Sequence, residues 1–435
     1  MEKKNIFKNE IDKPSIVQFI LRIIPKVVFF SIKAVLFLPL WPIYWLGCVV
    51  WYRPPNVPYI KQVLRYLRQT WTVSPQNPYL PVFGRIWLSL SLLDFYIGSP
   101  IRGIAWLLDE LLYSRALDEI TVHKPVFVIS AGRSGSTQLT RYLEEDNRLA
   151  APNILQCMFP YLWLWRLAPN TIGRIIKPEK VREMIRSAMP PELWERHEAN
   201  PFKADTFDGA FLSFHLRRFS LYLGPEVAKE DFNMANIAPY EKQVMEKDFI
   251  QLVDRLARKS VYFLSDSREA ETRRFYLKGH FLFAAQALCE HYPDAYFLTV
   301  IREPLSRLRS GINYLRVNPP DPVLGPVPWS WLTDTLRFTE VFYNKVEQEW
   351  FTRGTDCQRS VIRFAEFVND LETSMKRVYL DCFGSEELPS YIPRNHPPRK
   401  QNQYSIDRTL SELGVDEAEI KNRLSDYILW CQSTG

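Results

Sequence analysis

Glycine is scarce in this chain, with 16 among 435 residues against 32 prolines. So few glycines exclude a collagen-like repeat or a low-complexity chain. They also mean that two glycines standing close together need a reason, as Gly132 and Gly135 do. Cysteine is sparse and scattered (Cys48, Cys157, Cys289, Cys357, Cys382, Cys431), with no C-x-x-C pair to support a zinc site of that type. No N-x-S/T sequon occurs. These features lead us to expect reduced thiols and a body facing the cytosol, with a disulfide such as Cys357–Cys382 left open. A dominant charge of one sign is missing too. The 55 Lys+Arg are balanced by 49 Asp+Glu, for a net +6 and no long basic block, which argues against a nucleic-acid partner. A mild basic excess suits a small anionic ligand or a membrane surface. With 46% hydrophobic and 24% charged residues the chain is not disordered, and its length allows two or three domains.

Aromatics are plentiful: 27 Phe, 21 Tyr and 13 Trp. Part of them lies in Ala34–Tyr52 (AVLFLPLWPIYWLGCVVWY), 19 residues without a charge. As one helix this run would cross about one bilayer core. Trp51, Tyr52 and Arg53 stand where interface anchors would be, with Lys26 and Lys33 at the other end. Pro39 and Pro42 would kink the helix, so a re-entrant or interfacial hairpin stands beside a transmembrane helix, and buried helices of a globular domain are the plainer reading. Residues 86–113 form a second apolar region, broken by Asp94 and by Gly98-Ser99-Pro100. The expectation is a membrane-associated helical region over 1–120.

At Pro125 the pattern changes. Val126–Ile129 is a short apolar run, as in a parallel strand buried on both faces. Ser130-Ala131-Gly132-Arg133-Ser134-Gly135-Ser136-Thr137 follows, then a helical pattern over Gln138–Glu145. Strand, Gly/Ser turn and helix in that order make an anion site, because outward backbone N–H groups and the positive helix end favour a phosphate. An ATP-type loop requires G-x-x-x-x-G-K-[ST], and no Lys precedes Ser136 here, so a P-loop kinase is the weaker alternative. A second constellation is the run Ala295–Ile301 ending at Arg302-Glu303-Pro304, with Pro304 placed to begin a helix carrying Arg307, Arg309 and Ser310. Further strand–helix units read over Ser360–Val368 with Asp370–Phe383, and over Arg273–Lys278 with Phe281–Tyr292. The whole predicts a doubly wound parallel α/β sheet over 121–435, with a helical insertion at about 159–260.

These motifs resemble the sulfotransferases that use 3'-phosphoadenosine 5'-phosphosulfate (PAPS), in their broad, largely bacterial branch. VFVIS-AGRSGST resembles the family's phosphosulfate loop. LTVIREPLSRLRSGINYL resembles its 3'-phosphate motif, and YLKGHF its Leu-Lys-x-Pro-x-His segment. The resemblance covers about residues 123–430 and implies PAPS as co-substrate with no metal. It implies that Arg133, Ser134, Gly135, Ser136 and Thr137 bind the 5'-phosphosulfate, that Arg302 and Ser310 bind the 3'-phosphate, and that Arg399 or Lys400 adds charge there. Arg133 and Lys278 are the candidates for neutralising charge on the leaving oxygen. Several relatives carry an acid about twenty residues after the loop, where this chain reads Ala151–Cys157 without one. That leaves His280, Asp205 and Asp208 as general-base candidates. The aromatic stretch after Phe159, with His215 and Arg217, would roof an acceptor pocket. The expected activity is sulfuryl transfer to a hydroxyl of a lipid, glycan or small-molecule acceptor. A scaffold that has lost its base is the non-enzymatic alternative.

Overall fold

The structure, a computed structural model, describes residues 16–72, 82–188, 200–207, 210–211, 214–224, 227, 229, 239–264, 273–316, 329–353, 357–395 and 409–433. The chain divides into two compact units. One comprises Met1–Leu111, Phe211–Ala238 and Pro319–Leu336, and the other Leu112–Ala210, Pro239–Asn318 and Arg337–Gly435.

The second unit is a mostly helical α/β body around five parallel strands: β1 (Val126–Ile129), β2 (Leu149–Ala150), β3 (Arg274–Gly279), β4 (Tyr296–Ile301) and β5 (Gln358–Arg363). Their order is β2-β3-β1-β4-β5. Successive connections therefore run to one side of β1 and later to the other, and the reversal opens a crevice at the carboxyl ends of the central strands. Helices cover both faces. Val126, Val128, Leu298, Val300 and Ile362 pack with Leu139, Leu143, Met375 and Val378 on one side. On the other, Phe127 meets Phe281, Tyr292 and Phe297, and Phe297 meets Trp350. Apolar burial on both faces explains why β1 and β4 read as unbroken hydrophobic runs.

Two readings change here. The alternation over 360–368 reads as one strand, but β5 stops at Arg363 and Phe364–Asn369 is helical. Asp370 then caps the next helix, Leu371–Phe383, by accepting from the Thr373 amide at 3.0 Å. The thiols are also not all reduced. Cys289 and Cys357 form a disulfide joining the helix Ala285–His291 to the entry of β5, while Cys382 is free.

In the first unit the uncharged run is not one helix. It is split between α1 (Ile16–Phe37) and α2 (Leu40–Val50), with Pro39 at the break. Among the described residues no single helix is long and apolar enough to cross a membrane. The segments Ile23–Phe37 and Leu40–Val50 pass that test together, bent by 50°. The unit also holds α3 (Ile60–Thr72), α4 (Val82–Ile97) and most of α5 (Ser99–Asp118). Gly47 and Gly103 let α2 and α5 approach closely, since a Cβ at either would come within 2.5 Å of Leu107 or Tyr44. Of the three expected interface anchors Trp51 is exposed, while the Tyr52 hydroxyl bonds Glu110 and Arg53 stacks on Tyr59.

The polarity of α1 is inverted. Lys33 pairs with Asp94 of α4 at 2.9 Å, and Lys26 lies on the Trp87 ring and donates to Ser91. Ile20, Leu21, Ile24, Val27, Val28, Phe29, Ile32, Val35 and Leu36 face outward.

Candidate active site

The loop after β1 is built for close approach to an anion. The Ser130 Oγ accepts from the Val300 amide at 2.9 Å, which ties the start of the loop to β4. Arg133 (φ 64°) and Gly135 (φ 99°) are both left-handed, and such turns aim successive N–H groups into one concavity. The left-handed Arg133 costs roughly 1–2 kcal/mol, a strain typical of functional loops. Helix α6 (Ser136–Leu143) then begins with no side-chain cap, so its first N–H groups face the loop. The Ser134 hydroxyl is buried, with no hydrogen-bond partner among the described residues. An orphaned hydroxyl, uncapped amides and the positive helix end together fit a phosphate or sulfate. Phe364 packs on Gly135, where an added Cβ would meet its ring at 2.6 Å. A Cβ on Gly132 would lie 3.5 Å from the Nε2 of His280, so the imidazole lies over the loop.

The second motif comes to the same place. Pro304 opens the helix Pro304–Arg316, and the Glu303 carboxylate caps it by accepting from the Leu305 and Ser306 amides at 3.0 and 2.7 Å. Arg302, just past β4, donates to the Arg133 carbonyl at 3.0 Å and stacks 4.3 Å from the Phe364 ring centre. The Arg133 Nε donates to the Ser310 Oγ at 3.1 Å. Arg302 and Ser310 therefore both touch Arg133, and the two anion motifs meet through one residue. Arg307 and Arg309 point elsewhere: Arg307 is fully buried against Glu340, and Arg309 pairs with Glu417.

Lys278 supplies the ammonium that the loop, which has no lysine, does not. Its Cα is level with Val128 of β1, and its Nζ donates to the Thr137 Oγ1 at 3.0 Å, the Thr206 Oγ1 at 3.0 Å and the Asp205 Oδ1 at 2.6 Å. Lys278 and Asp205 are both buried, so each charge depends on the other. Thr206 bridges to Lys278 and the Phe207 amide bonds the Lys278 carbonyl, which holds the 204–207 segment alongside β3. Asp205 also accepts from the Thr206 amide and lies 3.5 Å from Arg141.

Asp208, Arg399 and Lys400 lie outside the described residues. His215 belongs to the first unit, packed on Phe211 and 3.4 Å from Gln62, and Arg217 opens a short 3-10 turn there. In Ala151–Cys157, where the resemblance led us to look for an acid, Asn153 and Gln156 form a reciprocal capping box at 2.9 Å for the helix Ile154–Met158. Among the described residues no three His, Cys, Asp or Glu side chains gather as metal ligands. Phe364 and Thr206 were not readable as site residues. An aromatic in an alternating run and a threonine in a loop carry no chemical signal until tertiary contacts exist.

The arrangement combines a phosphate-type cradle, an arginine pair, a buried ammonium and an imidazole. The sulfotransferase family matches residues 125–384. The omega-hydroxy-beta-dihydromenaquinone-9 sulfotransferases Stf3 of Mycobacterium bovis and Mycobacterium tuberculosis are each 22% identical over 325 residues, covering 71% of this chain and 76% of theirs. The crystal structure of sulfotransferase STF9 from Mycobacterium avium superposes with a TM-score of 0.57 at 16% identity, covering 86% of this chain and 96% of that one. With the family spanning the sheet and both anion motifs, this chain belongs to the sulfotransferase family.

Proposed function

We propose that the chain transfers the sulfuryl group of PAPS to a hydroxyl of a lipid acceptor at a membrane. The observation that carries the donor assignment is the meeting of the 130–137 loop with Arg302 and Ser310 at Arg133. A donor bearing phosphates at both its 5' and 3' positions matches two adjoining anion motifs, and the buried Ser134 hydroxyl fits the loop end of it. The residues present fit PAPS, which supplies a sulfuryl group on a good leaving phosphate.

In this reading the Ser136 and Thr137 amides and the Ser134 hydroxyl hold the 5'-phosphosulfate. Lys278 donates toward the bridging oxygen as the S–O bond breaks. His280 accepts the acceptor's hydroxyl proton, and the freed oxygen bonds to sulfur. Asp205 is already engaged by Lys278 and Thr206, so it serves as the counter-ion that orients the ammonium and leaves the base role to His280.

The lipid acceptor is supported by two findings. The curated relatives are named for a hydroxylated dihydromenaquinone. The outward face of α1 is apolar, while its lysines turn in toward α4. A helix of that polarity is suited to lipid on its outer side.

The test compares Arg302→Ala with the unaltered protein. Binding of 3'-phosphoadenosine 5'-phosphate (PAP) should weaken by about tenfold to hundredfold, as expected for a lost charge-assisted contact, while adenosine 5'-phosphate binding changes little. Equal losses for both would contradict the assignment. Absence of both PAP binding and transfer from labelled PAPS to hydroxylated lipids would overturn the function itself.

A further inference from the structure

The helix that follows the phosphosulfate loop reaches a second part of the site with its far end. In its first turn α6 presents Thr137, whose Oγ1 accepts from the Lys278 Nζ at 3.0 Å. Its last turn carries Arg141, and Glu144 stands at its C-cap. These two side chains grip one residue of the segment that faces Lys278. The Arg141 Nη1 donates to the Ala204 carbonyl at 2.6 Å, and the Glu144 carboxylate accepts from the Ala204 amide at 2.6 Å. Both backbone polar groups of Ala204 are thus taken by side chains from one helix. Arg141 also donates to Glu144 at 3.1 Å, which braces the two against each other.

The grip bears on the residues that follow. The Asp205 Oδ1 accepts from Lys278, while its Oδ2 lies 3.5 Å from the Arg141 Nη2. Asp205 therefore stands between two cations, one at the reaction centre and one on the helix of the donor loop. Thr206 takes a further proton of the same ammonium. An ammonium on a flexible four-carbon stem points where its hydrogen-bond acceptors direct it. Two of the acceptors that hold Lys278 come from this segment. Its flanks are tied by backbone bonds, from the Ile154 amide to the Lys203 carbonyl at 3.1 Å and from the Phe207 amide to the Lys278 carbonyl at 2.9 Å. Between those ties the peptide is placed by Arg141 and Glu144, through charge-assisted bonds that are stronger than neutral ones.

We propose that Arg141 and Glu144 are positioning residues for sulfuryl transfer: they clamp the Ala204 peptide so that Asp205 and Thr206 aim the Lys278 ammonium at the leaving oxygen. This rests on the reading of Lys278 as the cation that meets the bridging oxygen. One helix then sets both partners of the bond that breaks. Its first turn holds the phosphosulfate, and its last turn holds the counter-ion of Lys278.

The experiment measures transfer from labelled PAPS to hydroxylated lipids, a long-chain primary alcohol among them, beside PAP affinity by calorimetry and melting temperature. It uses the full chain with Arg141→Met, Arg141→Lys, Glu144→Gln, Asp205→Asn and the double variant Arg141→Met/Asp205→Asn. Arg141→Met and Glu144→Gln should each lower kcat by about tenfold to hundredfold, as expected for a misplaced catalytic group, with little change in the Kd for PAP. Arg141→Lys keeps a cation beside Asp205 and should recover part of the rate. Because Arg141 acts through Asp205, adding Arg141→Met to Asp205→Asn should lower kcat by less than about twofold more. Asp254→Asn serves as the control for lost stability, since Asp254 accepts from Tyr292 at the amino-terminal end of β4. It should lower the melting temperature and leave kcat unchanged. If the Arg141 and Glu144 variants lose only melting temperature, or if the rate losses multiply in the double variant, the role is structural and the inference fails. Should Arg141→Met not fold, Glu144→Gln decides by the same criteria, alone and combined with Asp205→Asn. If the unaltered chain binds no PAP or transfers to none of the lipids, the proposed function falls and this inference with it.

Discussion

Replacing Gly135 by Ala puts the geometry of the loop to a direct test. The residue sits at φ 99°, where an L side chain is strained, and the conformational cost is roughly 1–2 kcal/mol. The new Cβ would also stand 2.6 and 2.7 Å from two ring carbons of Phe364. Comfortable carbon contacts begin at about 3.5 Å, so the ring must retreat by about 1 Å. Overpacking of this kind adds roughly 1–3 kcal/mol. The expected total is about 2–5 kcal/mol of lost stability, read by thermal denaturation. Phe364 also carries the Arg302 guanidinium on its face, so PAP affinity should fall by more than tenfold in calorimetry. The clash can be separated from the strain by a double-mutant cycle with Phe364→Ala. Removing the ring relieves the contact and leaves φ unchanged, so the two substitutions should couple by at least about 1 kcal/mol. A Gly135→Ala protein that melts and binds PAP like the unaltered one would refute the reasoning, and strict additivity would refute the part assigned to Phe364.

Other expectations follow from the same contacts. His280→Gln should cut turnover by about 10²–10⁴-fold while PAP still binds, measured as sulfate transfer alongside calorimetry; an unchanged rate would remove His280 from the base role. Asp205→Asn leaves the Lys278 charge buried without its carboxylate, and should destabilise by about 3 kcal/mol in denaturant melts. Adding Lys278→Met should recover part of that loss, and no recovery would argue against the pair. Asp254 on the helix Pro239–Leu264 is a pH probe. Burial raises its pKa, but His291, Arg258 and Tyr292 outweigh this and hold it at about 2. A depressed carboxylate stabilises above its unfolded value of about 3.9, and that stability is lost as pH falls toward 2. Acid melts of Asp254→Asn should therefore lack about 2 kcal/mol of the pH dependence seen in the unaltered chain between pH 5 and 2. Parallel acid profiles would remove this role.

What could be read in advance was local. The β1 run, the Gly-Arg-Ser-Gly turn and Pro304 signal themselves over a few residues, and each element stands where its pattern puts it. Readings that needed a distant partner were out of reach. Phe364 looked like one more residue of an alternating strand because nothing within five residues reveals that Gly135 and Arg302 will receive its ring. Cys289 finds Cys357 across 68 residues, since parallel strands bring together chain segments far apart in sequence. Lys26 and Lys33 looked like flanking charges until α4 supplied Ser91 and Asp94. Asp205 was legible as an acid near the site, but its engagement with Lys278 was not, because β3 follows it by some 70 residues.

The division into units is not sequential, and this bears on how the protein can be dissected. The backbone passes between the two units five times. Leu216, Phe219, Leu223 and Val227 bury themselves against Val63, Tyr66, Leu88 and Leu92. A truncation that begins at residue 121 would thus release no self-contained enzyme. It would strip four apolar side chains of their cover and leave an adhesive patch in the middle of the remaining chain. The boundary near residue 120 therefore does not divide the chain into two contiguous units, because residues 211–238 and 319–336 belong with the N-terminal helices.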